Sequence, residues 1–244
     1  MTPRDRYHEF KINAIRGLRR LGVDPLTPHR RAAGDPLTVA RLAAGADAKI
    51  VLDCGAHQGR MTRAFRGAFP AAKIHAFEPT PATFADLKAR VGAIPNVEVI
   101  NAAVGGKSGE MEFFVGANEQ SNSLVRPQGG GGGASANSIR VPVVGIADFC
   151  RERGIDKIDV LKLDIEGYEL ETLRGMEPML RDRRVKVIYS EVTFERKPEE
   201  KHLPTFFDLH TYLSGLGYRF VGIYDVLYGE GLRFDWGDAI WVAP

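Results

Sequence analysis

The chain has 244 residues, 44% apolar and 26% charged, which is ordinary globular composition and length enough to bury a sizeable core. A net charge of +2 leaves no global field for nucleic acid, and no apolar run approaches the ~18–20 residues of a membrane span. Two cysteines, Cys54 and Cys150, make no disulfide framework, so both are read as reduced and the location as cytoplasmic.

The charge is uneven along the chain. Residues 1–41 carry nine Lys/Arg against four Asp/Glu, a balance of +5 that leaves −3 for the remainder. Within them, Tyr7, Phe10, Ala14, Leu18 and Leu21 fall three or four apart, which predicts a helix over 3–21 with a basic outer face. Such a helix can pack on the main domain or reach a membrane surface or partner. The opening MTPRDRYHEF has no apolar core of a secretory signal. The stretch GVDPLTPHRRAAGDP is rich in Pro and Gly and reads as a linker, so 1–48 is assigned as arm and linker and 49–244 as the main domain.

From residue 49, strands and helices alternate. KIVLDC is a strand and 60–69 a helix; KIHAFEP is a strand and 81–91 a helix; VEVINAAV is a third strand. This is the pattern of a doubly wound α/β fold with a mostly parallel sheet. EMEFFVG and SIRVPVV then read as an inserted antiparallel hairpin whose loop holds Gly129–Gly133, either a flexible excursion or a lid. Alternation resumes with IDVLKLDI, YELETLRGM, VKVIYSEV and a helix over 204–215, and YRFVGIYD and DAIWVAP close the chain.

The motifs sit at strand ends. In VLDCGAHQGR (51–60) a strand runs into Asp53 and then into a turn bared by Gly55 and Gly59, with Ala56 and His57 between. Such a turn lets a ligand approach backbone N–H groups. A nicotinamide dinucleotide prefers G-x-G-x-x-G, which is missing, and an acid before the turn repels phosphate. The acid suits a ligand with an amine, and S-adenosylmethionine has an ammonium, a sulfonium and no phosphate. A plain tight turn would show the same glycines. Glu78 ends HAFEP, 25 residues beyond Asp53, where a carboxylate can accept both hydroxyls of a ribose. In VINAAVG (99–105), Asn101 can offer an amide to an adenine edge and Ala102 leaves room for the ring. In VLKLDIEGYELETLRG (160–175), Lys162 and Asp164 share one strand face. A lysine within a parallel strand needs a counter-ion, and Asp164, Glu166 and Glu191 are the candidates, in a structural ion pair or a site.

These stretches, with SNSL (121–124) and VPVVGIADF (141–149), resemble the FkbM-type S-adenosylmethionine-dependent methyltransferases, of class I methyltransferase fold. The resemblance runs from about Ile50 to Val242, and LKLDIEGYELETLRG is its most specific part. It implies a seven-stranded Rossmann-like sheet with an antiparallel last strand, and O-methylation of sugars or other natural products. It also implies Asp53, Gly55, Gly59 and Glu78 as cofactor residues. A sugar hydroxyl needs a general base or a metal ion. Lys162, Asp164, Glu166, Glu191 and His202 are the catalytic candidates, and the three carboxylates are the ligand set for Mg²⁺. No His partners them at a recognisable spacing, which favours metal-free catalysis. Ser121, Asn122, Tyr168 and Trp236 are candidates to line the acceptor pocket. Two other readings stay open: a non-catalytic S-adenosylmethionine-binding interaction module and a nicotinamide-dependent oxidoreductase.

Overall fold

Seven strands form one sheet, in the order Val97–Ile100, Lys73–Phe77, Ile50–Cys54, Ile158–Leu163, Val185–Thr193, Phe234–Val242 and Arg219–Tyr228. The structure is a computed structural model that describes residues 34–115, 137–195, 203–229 and 234–244. The strands are β1 (Ile50–Cys54), β2 (Lys73–Phe77), β3 (Val97–Ile100), β7 (Ile158–Leu163), β8 (Val185–Thr193), β9 (Arg219–Tyr228) and β10 (Phe234–Val242). β10 runs antiparallel to β8 and β9, and every other pair is parallel. The order reverses between β1 and β7. In an open α/β sheet, ligands bind in the crevice beyond the carboxyl ends of the strands at that point.

Helices cover both faces. α1 (Pro36–Ala44), α2 (Arg60–Ala68) and α3 (Pro81–Val91) lie on one, where Val39, Ala40, Phe65 and Phe69 pack on Val51, Ile74, Val160 and Ile240, and Leu87 and Val91 pack on Ala76. α4 (Ile146–Arg153), α5 (Glu169–Gly175), α6 (Glu177–Arg181) and α7 (Phe206–Gly215) lie on the other, where Phe149, Leu173, Met179 and Leu209 meet Leu52, Leu161, Ile188 and Trp241. The strands of the middle read as apolar runs because both faces are covered.

Three features differ from the sequence reading. The stretch assigned to arm and linker contains α1, because Asp35 accepts from the amides of Leu37 and Thr38 and Pro36 occupies the first turn. The third strand is split at Asn101, whose side-chain amide donates to the carbonyls of Glu78 (2.8 Å) and Pro79 (3.0 Å). Its second half, β4 (Ala103–Gly105), leaves the main sheet. It joins the predicted hairpin, β5 (Gly109–Val115) and β6 (Asn137–Gly145), as a small sheet in the order β4-β6-β5. The helix expected at 3–21, Ser121, Asn122, Gly129–Gly133 and His202 lie outside the described residues.

Candidate active site

A cavity of about 880 Å³ opens at the carboxyl edge of the sheet, within the size range of small-molecule sites. Gly55, Ala56, His57 and Gly59 line one end with Glu78 and Ala102; Lys162, Asp164, Glu166 and Glu191 line the other. The sequence candidates from five separated stretches therefore share one space.

The turn after β1 is fixed from two sides. The amides of Gly55 and Ala56 both donate to the Phe77 carbonyl, and Gly59 N–H donates to the Ala56 carbonyl. Gly55 has φ +78, and a Cβ there would collide with the carbonyl oxygen of Asp164. The glycine is thus required by the approach of the β1 and β7 ends. Glu78, 6% exposed, accepts from His57 N–H (3.1 Å) and Thr80 N–H (2.9 Å) and so ties the turn to β2. Burial raises its pKa, and the Thr80 and His57 amides oppose that rise.

Asp53 and Asn101 are not where a ligand contact would put them. The Asp53 side chain is wholly buried behind the cavity wall, where Thr62 Oγ1 donates to it (2.6 Å) and Lys162 Nζ lies 3.6 Å away. Asn101 spends its amide protons on the β2-end carbonyls. Both residues shape the site from outside it.

Lys162 is the clamp between β1 and β7. Its ammonium donates to the Gly55 carbonyl (3.3 Å) and Asp164 Oδ2 (3.0 Å), as well as facing Asp53. Burial pulls its pKa down, but Asp164 and Asp53 more than reverse this, so it stays charged. Beyond it, the chain reverses through Glu166 (φ +56) and Gly167 (φ +96). Glu169, buried on α5, accepts from Ile165 N–H (3.0 Å) and Gly167 N–H (3.3 Å) and holds this loop.

The loop delivers Glu166 beside Asp164 and Glu191; one oxygen of each lies within 4.8 Å of the others. Burial, then the charges of Asp164 and Glu169, push Glu166 up to about 8. Burial, then Asp164 and Glu166, push Glu191 up to about 9. Carboxylates this close share protons rather than ionise together.

The chain matches the family model described as the methyltransferase FkbM domain over residues 53–220. It belongs to this family. The FkbM match opens at Asp53 and takes in the turn, Glu78, the Lys162 clamp and the carboxylates. Among relatives, the "2-O-methyltransferase NoeI" of Sinorhizobium fredii is 24% identical over 178 residues, covering 64% of this chain and 67% of that protein. The "31-O-demethyl-FK506 methyltransferase FkbM" of Streptomyces tacrolimicus is 31% identical over 158 residues, covering 52% of this chain and 59% of that protein. The chain thus spans about three-fifths to two-thirds of these relatives. The solved fibrillarin of Methanococcus jannaschii superposes with a TM-score of 0.48 at 13% identity, over 87% of this chain and 76% of that one.

The family motifs do not include every residue the site uses. Tyr189 and Asp238 also line the FkbM-domain cavity, and the Tyr189 hydroxyl donates to Asp238 Oδ2 (2.9 Å). Tyr189 stands opposite Lys162 in the sheet, and Asp238 opposite Glu191. Only strand pairing across β7, β8 and β10 brings them together. The one signal in the sequence was the polar residues of VKVIYSEV and DAIWVAP, in strands otherwise apolar.

Proposed function

We propose that the chain transfers the methyl group of S-adenosylmethionine to a hydroxyl of a sugar or other natural product. The observation that carries this is the layout of one cavity: a bare turn and the Glu78 carboxylate at one end, a carboxylate cluster at the other. The first end fits an adenosine with an amino-acid tail. Glu78 offers oxygens to a ribose diol, and Ala102 and the Gly55–Gly59 backbone leave room for flat, close-lying groups. When bound, S-adenosylmethionine would supply an electrophilic methyl on a sulfonium, with S-adenosylhomocysteine as the leaving group once the acceptor oxygen takes the methyl.

The protein's part is to bind, align and take a proton. Lys162 locks the β1 turn to the β7 end, so cofactor and acceptor walls keep one spacing; near-attack alignment of about 3–3.5 Å demands it. Glu191 takes the hydroxyl proton. Its carboxyl lines the cavity beside Asp164 and Glu166, and the positive charge of a bound sulfonium favours the ionised form that accepts a proton. Asp164 is committed to Lys162, and burial, then the charges of Asp164 and Glu166, raise the pKa of Glu191. The same three carboxylates fit Mg²⁺ by their chemistry, and an ion held there would acidify the hydroxyl.

Two measurements test the reading. Calorimetric titration should show binding of S-adenosylmethionine and none of NAD, and Glu78→Ala should weaken that binding at least tenfold in a folded protein. Unaltered affinity removes Glu78 from the cofactor site. With an acceptor in hand, Glu191→Gln should lower kcat by ~10²–10⁴-fold. EDTA should leave wild-type turnover intact. Loss restored by Mg²⁺ reassigns Asp164, Glu166 and Glu191 as ligands.

A further inference from the structure

The two faces of the main sheet carry opposite charge patterns. The helices of one face, α1, α2 and α3, hold six Lys/Arg against one Asp/Glu. The helices of the other, α4 to α7, hold four against six. The pairing differs as well as the count. Each arginine of α4, α5 and α6 has a carboxylate: Arg151 pairs with Asp148 (2.6 Å), Arg153 with Glu98 (2.7 Å), Arg174 with Glu171 (2.6 Å) and Arg181 with Glu177 (2.7 Å). On the first face the cations are Arg41, Arg60, Arg63, Arg66, Lys88 and Arg90, and among the described residues none of them has an ion-pair partner. All are exposed except Arg66, which is half-buried. Arg63 donates to the Arg90 carbonyl (3.2 Å) and so ties the α2 and α3 rows together. Arg60, Arg63 and Arg90 also line the cavity, so the basic face runs up to its rim. The acids flanking this face are Asp35 and Asp47, before and after α1, and Asp35 is taken up by the Leu37 and Thr38 amides. A net charge of +2 for the whole chain therefore conceals a one-sided distribution.

Three observations select the anion that this face fits. Its cations are spread over three helices instead of converging on one point, which suits an extended surface better than a single phosphate. Among the described residues, the exposed large apolar side chain of these helices is Leu42, 44% exposed and next to Arg41. An aliphatic side chain beside a cation suits the headgroup region of a bilayer and offers no ring on which a base could stack. The chain leading into α1 has the same sign: residues 1–33 hold eight Lys/Arg against three Asp/Glu. Their stripe of Tyr7, Phe10, Ala14, Leu18 and Leu21, with arginines off it, is the sequence pattern of a helix that lies in a membrane interface.

We propose that the α1–α3 face docks the protein on an anionic membrane surface. Each basic residue near such a surface shifts the partition about fivefold, so a few unpaired cations on one face suffice for reversible binding. The attraction reaches roughly a Debye length, about 8–10 Å at physiological salt, and so favours the face turned toward the bilayer. The four paired arginines of the other face have their charge met by carboxylates and add little. The docking is independent of the methyl-transfer reading.

The test is co-sedimentation of the full chain with vesicles of phosphatidylcholine alone and of equimolar phosphatidylcholine and phosphatidylglycerol. The chain should bind the anionic vesicles at least tenfold more tightly, and added salt should weaken that binding steeply. Two triple variants then remove equal charge from opposite faces. Arg41→Gln, Arg66→Gln and Lys88→Gln together, none of which lines the cavity, should weaken binding to the anionic vesicles at least tenfold. Arg151→Gln, Arg174→Gln and Arg181→Gln together should leave most of it. Thermal unfolding of both variants checks the fold, and the wild-type comparison of the two vesicles stands whatever the variants do. The proposal is overturned if the wild type does not discriminate between the vesicles, if the first variant binds as the wild type does, or if the two variants lose equally, which would reduce the effect to net charge. Tighter binding to a single-stranded RNA oligonucleotide than to the anionic vesicles would overturn it in favour of nucleic acid. Release from the vesicles by inorganic phosphate beyond that caused by chloride of equal ionic strength would overturn it in favour of a discrete phosphate site.

Discussion

Gly55 shows how one residue can be right for a reason the sequence hides. As a bare turn after a strand, it reads as a place where a ligand touches the backbone. In the structure the missing Cβ makes room for the Asp164 carbonyl, at a φ of +78. Gly55→Ala therefore disturbs the join of β1 and β7 whether or not a ligand is bound. Overpacking against backbone costs about 1–3 kcal/mol and the left-handed conformation about 1–2 kcal/mol, so the loss should reach several kcal/mol. In a protein of this size that corresponds to a fall of roughly 5–15 °C in Tm. Thermal unfolding without ligand measures it, and an unchanged Tm would return Gly55 to a purely ligand-contacting role. Asp53 teaches the converse. An acid at a strand end can point to ligand or to core, and here Thr62, nine residues on, captures it at 2.6 Å. The sequence showed the acid and not its direction, because direction depends on how α2 packs.

At the scale of elements, the β1, β2 and β7 ends were legible because each joins an apolar strand to a turn with a charged or glycine residue. Lys162 and Asp164 were placed on one face by period two, and the structure pairs them at 3.0 Å. α1 was hidden because it begins at the last residue of a Pro/Gly-rich segment, where Asp35 and Pro36 start a helix instead of extending a linker. The small sheet was hidden because β4 and β6 are parallel partners distant in sequence. Lys162 carries the energetic consequence. It is 4% exposed and is the cation facing buried Asp53. Lys162→Met keeps the stem but strands Asp53, which should cost about 3–5 kcal/mol in urea unfolding. Asp53→Asn removes the stranded charge, so the double variant should be more stable than the two single losses added together. Strict additivity would mean that the pair does not interact and that Lys162 serves the cavity alone.

Across the whole molecule, the sheet gathers acids from the loop after β7, from β8 and from β10 at one edge, and the domain stores protons there. Glu166 and Glu191, at about 8 and about 9, hold their protons in the folded state well above the range of an exposed carboxylate. The folded protein thus binds more protons than the unfolded chain between roughly pH 4.5 and 8. These groups contribute stability at low pH that is lost progressively between about pH 4.5 and 9, so ligand-free Tm should decline across that window and level off above it, and Glu191→Gln should flatten the decline. A cationic ligand reverses the local balance. The ammonium and sulfonium of S-adenosylmethionine favour ionised carboxylates and lower their pKa. Binding near pH 7.5 should therefore release protons, and affinity should rise from pH 6 to pH 9. In calorimetry the observed enthalpy should be more exothermic in Tris than in phosphate, because Tris takes up the released protons with more heat. S-adenosylhomocysteine lacks the sulfonium charge and should release fewer, and Glu191→Gln should reduce the buffer dependence for both ligands. Equal enthalpies in the two buffers would show that the carboxylate cluster does not feel the bound cofactor, and would place the methyl group away from Glu191.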